Sequence, residues 1–403
     1  MDDPVYVIGI GLISAIGSNV QETLNSFEQG RPGMRPISLL RTRHDKEIPT
    51  AEVPFSNEEL AEKAGLATHI SRTALLGTIA GRQAMLDAWI FSESGRSNSY
   101  RIGLVSANTV GGMDKTEDFF RLYLTNHGKG KLRNIVNHEC GRITEITADE
   151  LGIKDFVTTI STACSSSANS IALGARLIRD NQLDLVVAGG VDALSRFTLN
   201  GFNSLMILDQ EFCKPFDENR KGLNLGEGAG YLVLSSEKAL KALGKEPYCL
   251  LSGYANANDA YHQTASSPEG TGSWLAMKKA LDRAGLNPGD IDYINLHGTG
   301  TQNNDIAEGT AIKNLFAPHY PKMSSTKSFT GHTLGACGGI EAVFSTLSIR
   351  HGLVYPNLRF QTQMKELPFA PETRFLKNEP ISHVLSNSFG FGGNCTSLVF
   401  SGL

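Results

Sequence analysis

The segment TTISTACSSSANSIALGARLIRD, which contains Cys164, most constrains how this chain folds. A β-branched run gives way there to small residues and then to the apolar spacing of a helix, which predicts a strand, a sharp turn and a helix. A thiol at such a turn faces the helix N-terminus, where unpaired N–H groups and the helix dipole favour the thiolate. The segment therefore predicts a nucleophile at Cys164, although a single cysteine is more often a small buried core residue.

Two histidines and a lysine occupy glycine-bracketed loops in the second half of the chain. His297 lies in INLHGTGT, and Lys327 and His332 lie in STKSFTGHTLGACGG. The apolar run DYINL predicts a strand that ends just before His297, at the edge where open α/β sheets bind ligands. His332 is predicted to precede a helix that begins near Ile340. A lone histidine is usually structural, but these three residues together with a helix-start cysteine form a candidate catalytic set.

Four segments resemble the signature segments of a known family: TACSSSANS, HGTGT, KSFTGH and NSFGFGG. In this order and spacing they resemble the β-ketoacyl-[acyl-carrier-protein] synthases of the thiolase superfamily, and the elongating type II condensing enzymes match best. The resemblance runs from VYVIGIGLISAIG to SNSFGFGGNCTSLVF. It implies a catalytic Cys164, His297 and His332 with an accompanying Lys327. The initiating branch of the family resembles a Cys-His-Asn arrangement, and the GH of FTGHTLGACGG argues against that branch.

Short apolar strands alternate with longer helical segments, which predicts an α/β fold. YVIGIG, IGLVSA, DLVVAGGVDAL and GYLVLSS are candidate strands, and after GKEPY the alternation restarts. We expect two similar halves in one compact body, an N-terminal half (1–244) with the cysteine and a C-terminal half (245–403) with the histidines, the lysine and the GFGG loop. The resemblance implies that these are the pseudo-equivalent halves of a thiolase-like fold, in αβαβα layers.

Composition excludes several classes of function. A chain of 403 residues with 40% hydrophobic and 19% charged residues is typical of a globular enzyme. A net charge of −4 argues against broad nucleic-acid binding. The sequence has no uninterrupted apolar run of about 18 residues, so we expect no transmembrane helix. The acidic start MDDPVYVIGIG leads us to expect no export signal. Six scattered cysteines without a CxxC pair indicate neither a zinc site nor a redox couple, so we expect a cytoplasmic enzyme.

The resemblance implies a decarboxylative Claisen condensation. An acyl group on Cys164 would combine with malonyl-acyl carrier protein to give 3-oxoacyl-acyl carrier protein, in the elongation of fatty-acid, polyene or polyketide chains. His297 and His332 would donate to the enolate, and the backbone N–H groups of Cys164 and Phe391 would bind the oxyanion. We expect Lys327 to pair with an acidic neighbour such as Glu308. The alternative interpretation is that Lys327 is an ordinary lysine exposed to solvent.

The glycine runs fit no nucleotide fingerprint, so we expect no cofactor and no metal, with substrates carried on the phosphopantetheine of the carrier protein. Gly390, Gly392 and Gly393 would instead let Phe391 swing and open or close the acyl pocket. These runs are also compatible with plain tight turns.

By resemblance Val110 and Phe202 would line the acyl pocket, although each is also compatible with plain core. The chain departs from the family where many relatives read GGTN, because it has Asn394 and Cys395 there. Another departure is KGLNLGEG, with Lys221 in place of the usual DGF-type segment. These changes leave the acyl chain length and the pathway open.

Acyl carrier protein is the expected partner, and a basic patch is expected to receive it. The candidate residues, which form a solvated loop in the alternative interpretation, are Lys129, Lys131, Arg133, Arg41 and Arg43. We expect a homodimer, with a heterodimer as the alternative. Two other functions stay open: a thiolase, which would need a second catalytic cysteine such as Cys337 or Cys395, and a chain-length-factor subunit, whose relatives lack the active cysteine.

Overall fold

The computed structural model describes residues 3–90 and 100–403. Within these residues ten strands form one mixed sheet. The strands are β1 (Tyr6–Ser14), β2 (Ile102–Ala107), β3 (Phe156–Ile160), β4 (Leu185–Asp192), β5 (Gly228–Ser235), β6 (Cys249–Asn258), β7 (Tyr293–Asn295), β8 (Lys322–Ser324), β9 (His383–Phe389) and β10 (Asn394–Ser401).

Helices cover both faces of this sheet. They are α1 (Val20–Glu28), α2 (Asn57–Ala64), α3 (Arg72–Asp87), α4 (Met113–Thr125), α5 (Cys140–Leu151), α6 (Ser166–Arg179), α7 (Arg196–Ser204), α8 (Glu237–Leu243), α9 (Thr271–Ala284), α10 (Gln302–Phe316), α11 (Lys327–Thr330) and α12 (Cys337–His351). Among the described residues, no helix has the length and apolar character needed to cross a membrane.

The strand order repeats itself in the two halves of the chain. The order is β3-β2-β4-β5-β1 in the first half, and the second half reads β8-β7-β9-β10-β6 from the other edge. Parallel and antiparallel pairs also correspond, since β2 is parallel to β4 as β7 is parallel to β9. Among the described residues, a short antiparallel pairing of β1 with β6 joins the two half-sheets. The expectation of two pseudo-equivalent α/β halves is therefore confirmed, whereas the boundary between residues 244 and 245 stays a prediction.

The helices and half-sheets stack in five layers. Helix α3 packs on the outer face of the first half-sheet, and α9, backed by α10, packs on the outer face of the second. Helices α6 and α12 lie between the half-sheets and contact strands of both. Helix α12 is buried on all sides except its last turn, which explains why its sequence is apolar rather than amphipathic. The predicted αβαβα layering is confirmed.

The N-terminal ends of α6 and α12 approach each other closely. A Cβ atom on Gly338 would lie 2.9 Å from both the backbone nitrogen and the Cβ of Ala168, which no side chain could tolerate. Glycine at this position lets the two helix backbones come together. Because the predicted nucleophile precedes α6 and the His332 loop precedes α12, this contact brings the two loops to one place.

The predicted strands and the helix α6 after Cys164 are confirmed. One boundary differs, because α12 begins at Cys337 rather than near Ile340. The sequence did not predict this first turn, because Gly338 and Gly339 are poor helix formers. Glycine occurs in the helix here because the close packing of the backbones requires it.

Candidate active site

Cys164 lies in the turn between β3 and α6, as the sequence predicts. The residue before it, Ala163, has a φ of 53°, a left-handed conformation that non-glycine residues rarely adopt. The Cys164 side chain is 6% exposed. The local chain therefore presents the thiol from a sharp, strained turn at a helix start.

The fold brings the two predicted histidines to this thiol. His297 follows β7 by two residues, and His332 lies between α11 and α12. The thiol sulfur of Cys164 lies close to both imidazoles. This Sγ atom, one ring nitrogen of His297 and one ring nitrogen of His332 all lie within 4.8 Å of one another. The imidazole rings are perpendicular, with centroids 5.5 Å apart. Residues that are far apart in the sequence thus form one buried cluster.

A cavity of about 320 Å³ opens onto this cluster. One part of its wall is apolar and the rest is polar. The lining residues include the apolar Phe202, Met206, Ile207, Leu223, Phe389 and Phe391 and the polar Lys221, Thr264, Ser266, Thr299, Thr301, Gln302, Asn303 and Asn304. Phe202 thus lines this cavity, and its role in binding an acyl chain stays a prediction, whereas Val110 is half-buried and is not among the lining residues. Its role in the acyl pocket stays a prediction.

The contacts of His332 define its tautomer. The backbone N–H of Leu334 donates to Nδ1 of His332 over 3.0 Å. The Sγ atom of Cys337 lies 3.5 Å from the same nitrogen. A nitrogen that accepts a hydrogen bond from a backbone N–H carries no proton in neutral imidazole, so the proton lies on Nε2. His332 is therefore oriented to donate from Nε2.

His297 is held neutral by its surroundings. Burial, the positive charge of Lys327 and the neighbouring His332 all lower the pKa of His297 well below its usual value. Its side chain is buried, and Nδ1 has no hydrogen-bond partner among the described residues. Neutral imidazoles supply N–H donors without adding net charge to a dry site.

Glu308 supports the His297 loop instead of pairing with Lys327. Its carboxylate accepts the backbone N–H groups of His297 over 2.9 Å and of Gly298 over 2.8 Å. Asn387 donates to it over 3.1 Å. Burial raises the pKa of Glu308 to about 7, and these donors oppose the shift. The expectation that Glu308 pairs with Lys327 is wrong.

The partner of Lys327 is Glu341, on the second turn of α12. Their charged atoms lie 2.5 Å apart, and the two residues are 1% and 2% exposed. Glu341 is the one acidic residue of α12 and is buried there, so its carboxylate needs a buried cation. The alternative interpretation of Lys327 as a solvated side chain is therefore excluded. The ion pair links α11 to α12 on either side of the His332 loop.

Replacing Lys327 with methionine is expected to lower the free energy of unfolding by about 3–5 kcal/mol, because Glu341 would stay buried without its counter-ion. Urea denaturation of the variant would measure this loss. The double variant Lys327→Met with Glu341→Leu is the matched control and is expected to recover most of it. A double variant as unstable as the single one would contradict a coupled pair.

Sequence reasoning missed three residues that shape the site. Glu341 was detectable as the one acid in the apolar run IEAVF. Asp192, at the end of β4, accepts the N–H of Gly335 over 2.8 Å and so anchors the His332 loop. Burial raises the pKa of Asp192 to about 6. Asn387, which holds Glu308, gave no signal because its role depends on β9 lying beside β7.

The glycine-rich loop packs directly against the nucleophile turn. A Cβ atom on Gly390 would lie 3.0 Å from the backbone nitrogen of Cys164. Glycine at position 390 therefore lets the loop approach the backbone of Cys164 closely. Gly392 has a φ of 78°, a left-handed conformation that glycine adopts without strain. The ring of Phe391 stacks on Phe202, with centroids 5.7 Å apart and an interplanar angle of 19°.

This arrangement can support covalent chemistry. It combines a thiol at a helix start with two imidazoles and with backbone N–H groups next to the thiol. The Cys-His-His geometry could also hold a metal ion, so the expectation of no metal stays a prediction.

Family models match most of the chain. The model described as "Beta-ketoacyl synthase, N-terminal domain" matches residues 2–239, and "Beta-ketoacyl synthase, C-terminal domain" matches residues 248–361. The chain belongs to the β-ketoacyl synthase family. It is 34% identical over 411 residues to a 3-oxoacyl-[acyl-carrier-protein] synthase 2 of Staphylococcus aureus (strain COL), covering 98% of this chain and 97% of that protein.

Solved structures of this synthase family share the fold over the whole chain. The ishigamide ketosynthase/chain length factor matches with a TM-score of 0.92 and 28% identity, covering 100% of both chains. The AntDE:AntF structure is a type II PKS acyl-carrier protein in complex with its ketosynthase, bound to the hexaketide. It matches with a TM-score of 0.87 and 26% identity, covering 100% of both chains.

Proposed function

We propose that this β-ketoacyl synthase condenses an acyl group on Cys164 with a malonyl thioester of acyl carrier protein, giving a 3-oxoacyl-acyl carrier protein and carbon dioxide. The observation that carries the proposal is the cluster of Cys164, His297 and His332, whose donor atoms lie within 4.8 Å of one another beside a cavity. The cluster combines a nucleophile with donors for the two anions of a decarboxylating condensation.

The first half-reaction loads the acyl group. The thiolate of Cys164 attacks the acyl thioester carbonyl, and a tetrahedral oxyanion forms. The backbone N–H groups of Cys164 and Phe391, brought together by the contact of Gly390 with the turn, are the proposed donors to this oxyanion. The carbon–sulfur bond to the carrier then breaks, and the carrier thiol leaves.

The second half-reaction extends the chain. The bond between the malonyl carboxylate and its neighbouring carbon breaks, carbon dioxide leaves, and the electron pair forms an enolate on the thioester. Nε2–H of His332 and a ring N–H of His297 stabilise the negative oxygen. The enolate carbon then attacks the acyl group on Cys164, and Cys164 leaves as the thiolate.

A product assay tests this function. The protein would be incubated with an acyl carrier thioester and malonyl-acyl carrier protein, and the carrier would be analysed by mass spectrometry. We expect a carrier that bears the acyl chain lengthened by two carbons with a 3-oxo group. An acyl-enzyme without any lengthened product would contradict the condensing function.

Burial argues against the thiolase alternative. A thiolase would need a second thiol that accepts and donates protons near neutral pH. Burial raises the pKa of both Cys337 and Cys395 to about 12, which keeps them as neutral thiols. The presence of Cys164 within the cluster likewise disfavours a non-catalytic chain-length-factor subunit.

All six cysteines are free, which supports the cytoplasm as the proposed compartment.

Acyl carrier protein is the proposed partner, as it is for the ketosynthase in the AntDE:AntF structure. Its phosphopantetheine arm would enter along the polar wall of the cavity. Lys221 lies on that wall and shares Glu211 with Lys214, with both nitrogen–oxygen distances at 3.3 Å. The five basic residues that the sequence suggested as a patch are exposed, and their role in docking stays a prediction.

A dimer is the proposed assembly. Large apolar side chains are exposed on α4, in the segment that follows it and on the edge strand β3, among them Phe120, Leu124, Leu132, Val136 and Val157. Such side chains are available for burial in an interface between subunits. The ishigamide match is a ketosynthase/chain length factor, so an unlike partner is the alternative to a homodimer. Light scattering of this chain alone would give a dimer mass for a homodimer and a monomer mass for the alternative.

Replacing Phe391 with alanine is expected to slow acylation by long acyl chains about tenfold, with less effect on short ones, because the Phe391–Phe202 stack forms the apolar wall beside Cys164. Acylation rates across chain lengths would be compared with the melting temperature. The fully buried Phe344 is the control, since Phe344→Ala should cost about 3–5 kcal/mol of stability. A Phe391 variant with a large melting shift and uniform kinetics would mean that Phe391 only fills the core.

A further inference from the structure

We propose that Asn394 is a positioning residue, whose side-chain oxygen fastens the turn that carries Cys164 to the loop that carries Phe391. The inference rests on the proposed function, because the two fastened segments hold the nucleophile and the oxyanion donors. In the sequence Asn394 stood out only as a departure from the GGTN run of many relatives.

The turn around Cys164 depends on side-chain hydrogen bonds. Ala163 is left-handed, so the turn is not the conformation that its residues prefer locally. Ser166 accepts the N–H of Thr162 over 2.8 Å and donates to the carbonyl of Ala163 over 2.5 Å. Asn169 donates to the hydroxyl of Thr162 over 2.9 Å. These contacts come from α6 alone. From the other half, Thr396 and Asn256 donate to Asn169 over 2.9 and 3.1 Å, and the N–H of Gly339 donates to Ser167 over 2.8 Å. None of these three bonds reaches Ser165, the residue next to the nucleophile.

Asn394, the first residue of β10, makes the bond from the other half to Ser165. Its Oδ1 atom lies 2.7 Å from the hydroxyl of Ser165 and 2.9 Å from Nδ2 of Asn169. Nδ2 of Asn256 also donates to it over 2.7 Å. Two amide nitrogens around one atom identify that atom as the oxygen, so the orientation of the Asn394 amide is defined.

The backbone of Asn394 bonds the glycine-rich loop at the same time. Its carbonyl accepts the N–H of Gly390 over 2.8 Å, and Gly390 packs against the backbone nitrogen of Cys164. One residue therefore bonds α6 through its side chain and the Phe391 loop through its main chain. Strand β6 makes a second connection, because Asn256 donates to Asn169 over 3.1 Å and Asn258 donates to the carbonyl of Gly392 over 3.0 Å, but it uses two residues to do so.

Losing the Asn394 bonds should affect acylation of Cys164 but not malonyl decarboxylation. An oxyanion is stabilised only by donors 2.7–3.1 Å from it, so a small relative shift of the two segments weakens acyl transfer. His297 and His332 lie on other loops and make no described hydrogen bond with Asn394. Loss of the Asn394 oxygen should therefore slow acylation of Cys164 and leave malonyl decarboxylation intact.

The test compares Asn394→Leu with Asn394→Asp in the full-length protein. Leucine has a similar size but no acceptor, whereas aspartate keeps an oxygen for the same donors. We expect Asn394→Leu to lower kcat for self-acylation about 10- to 100-fold with little change in KM. Its malonyl decarboxylation should stay within about threefold of the parent rate, and Asn394→Asp should recover most of the acylation rate.

Asn256→Leu is the matched control, because Asn256 donates from an exposed position to the same oxygen and to Oδ1 of Asn169, but makes no described hydrogen bond to the Phe391 loop. It should acylate at nearly the parent rate. Unchanged acylation in Asn394→Leu, or equal losses of acylation and decarboxylation, would overturn the inference. If Asn394→Leu does not fold, slow acylation in a folded Asn394→Asp would overturn it too. A parent protein that forms no acyl-enzyme would instead refute the proposed function.

Discussion

Replacing Cys164 with alanine is expected to abolish acyl-enzyme formation and to lower condensation by a factor on the order of 10⁴ or more. Without the thiol no covalent intermediate forms, and the remaining groups offer no other nucleophile in the cluster. The fold should persist, because alanine fits the same small space at the helix start. Intact-protein mass spectrometry after incubation with acyl carrier thioesters measures the loss of the adduct.

Cys140→Ala is the control for this experiment, since Cys140 is half-buried and lies outside the cluster. It should acquire the acyl group as the parent protein does. An acyl adduct on Cys164→Ala, or condensation at the parent rate, would refute the assignment of the nucleophile.

Removing either histidine of the cluster is expected to separate the two half-reactions. His297→Ala or His332→Ala should lower malonyl decarboxylation about 100-fold or more, because each removes an N–H donor to the enolate oxygen. Acylation of Cys164 should largely survive, since its oxyanion is proposed to use backbone N–H groups. Decarboxylation is measured as the release of carbon dioxide from labelled malonyl-acyl carrier protein. Acylation is measured as the mass of the acyl-enzyme.

His351→Ala, at the last residue of α12, is a suitable control because His351 is exposed and remote from the cavity. Its decarboxylation rate should equal that of the parent. Loss of acylation with intact decarboxylation in His297→Ala or His332→Ala would reverse the proposed roles of the histidines and the backbone donors.

The sequence identified the chemistry-bearing residues because local signals carry them. The β-branched run before Cys164 and the apolar spacing after it fixed a strand, a turn and a helix, and the structure has all three. The run DYINL likewise placed His297 at the end of a strand. Such signals depend on neighbours in the chain, so they can be interpreted without a fold.

The pairing of buried charges could not be predicted in the same way. Lys327 was expected to pair with an acidic neighbour such as Glu308, but Lys327 bonds Glu341 and Glu308 bonds the His297 loop. Which acid faces the lysine depends on how α11 folds back on α12. The Asn394 bridge is similar, because its donors come from segments more than a hundred residues away.

The sequence by itself determined the alternation of strands and helices, the two-fold repetition of that pattern and the identity of the thiol and imidazole groups. Only the tertiary structure decided the tautomer of His332, the counter-ion of Lys327, the residues that line the cavity and the contact of Gly390 with Cys164. The physical reason is the distance along the chain over which each kind of interaction acts. Periodicity and turn chemistry act over a few residues, whereas hydrogen bonds, ion pairs and close helix approach depend on which segments the folded core brings together.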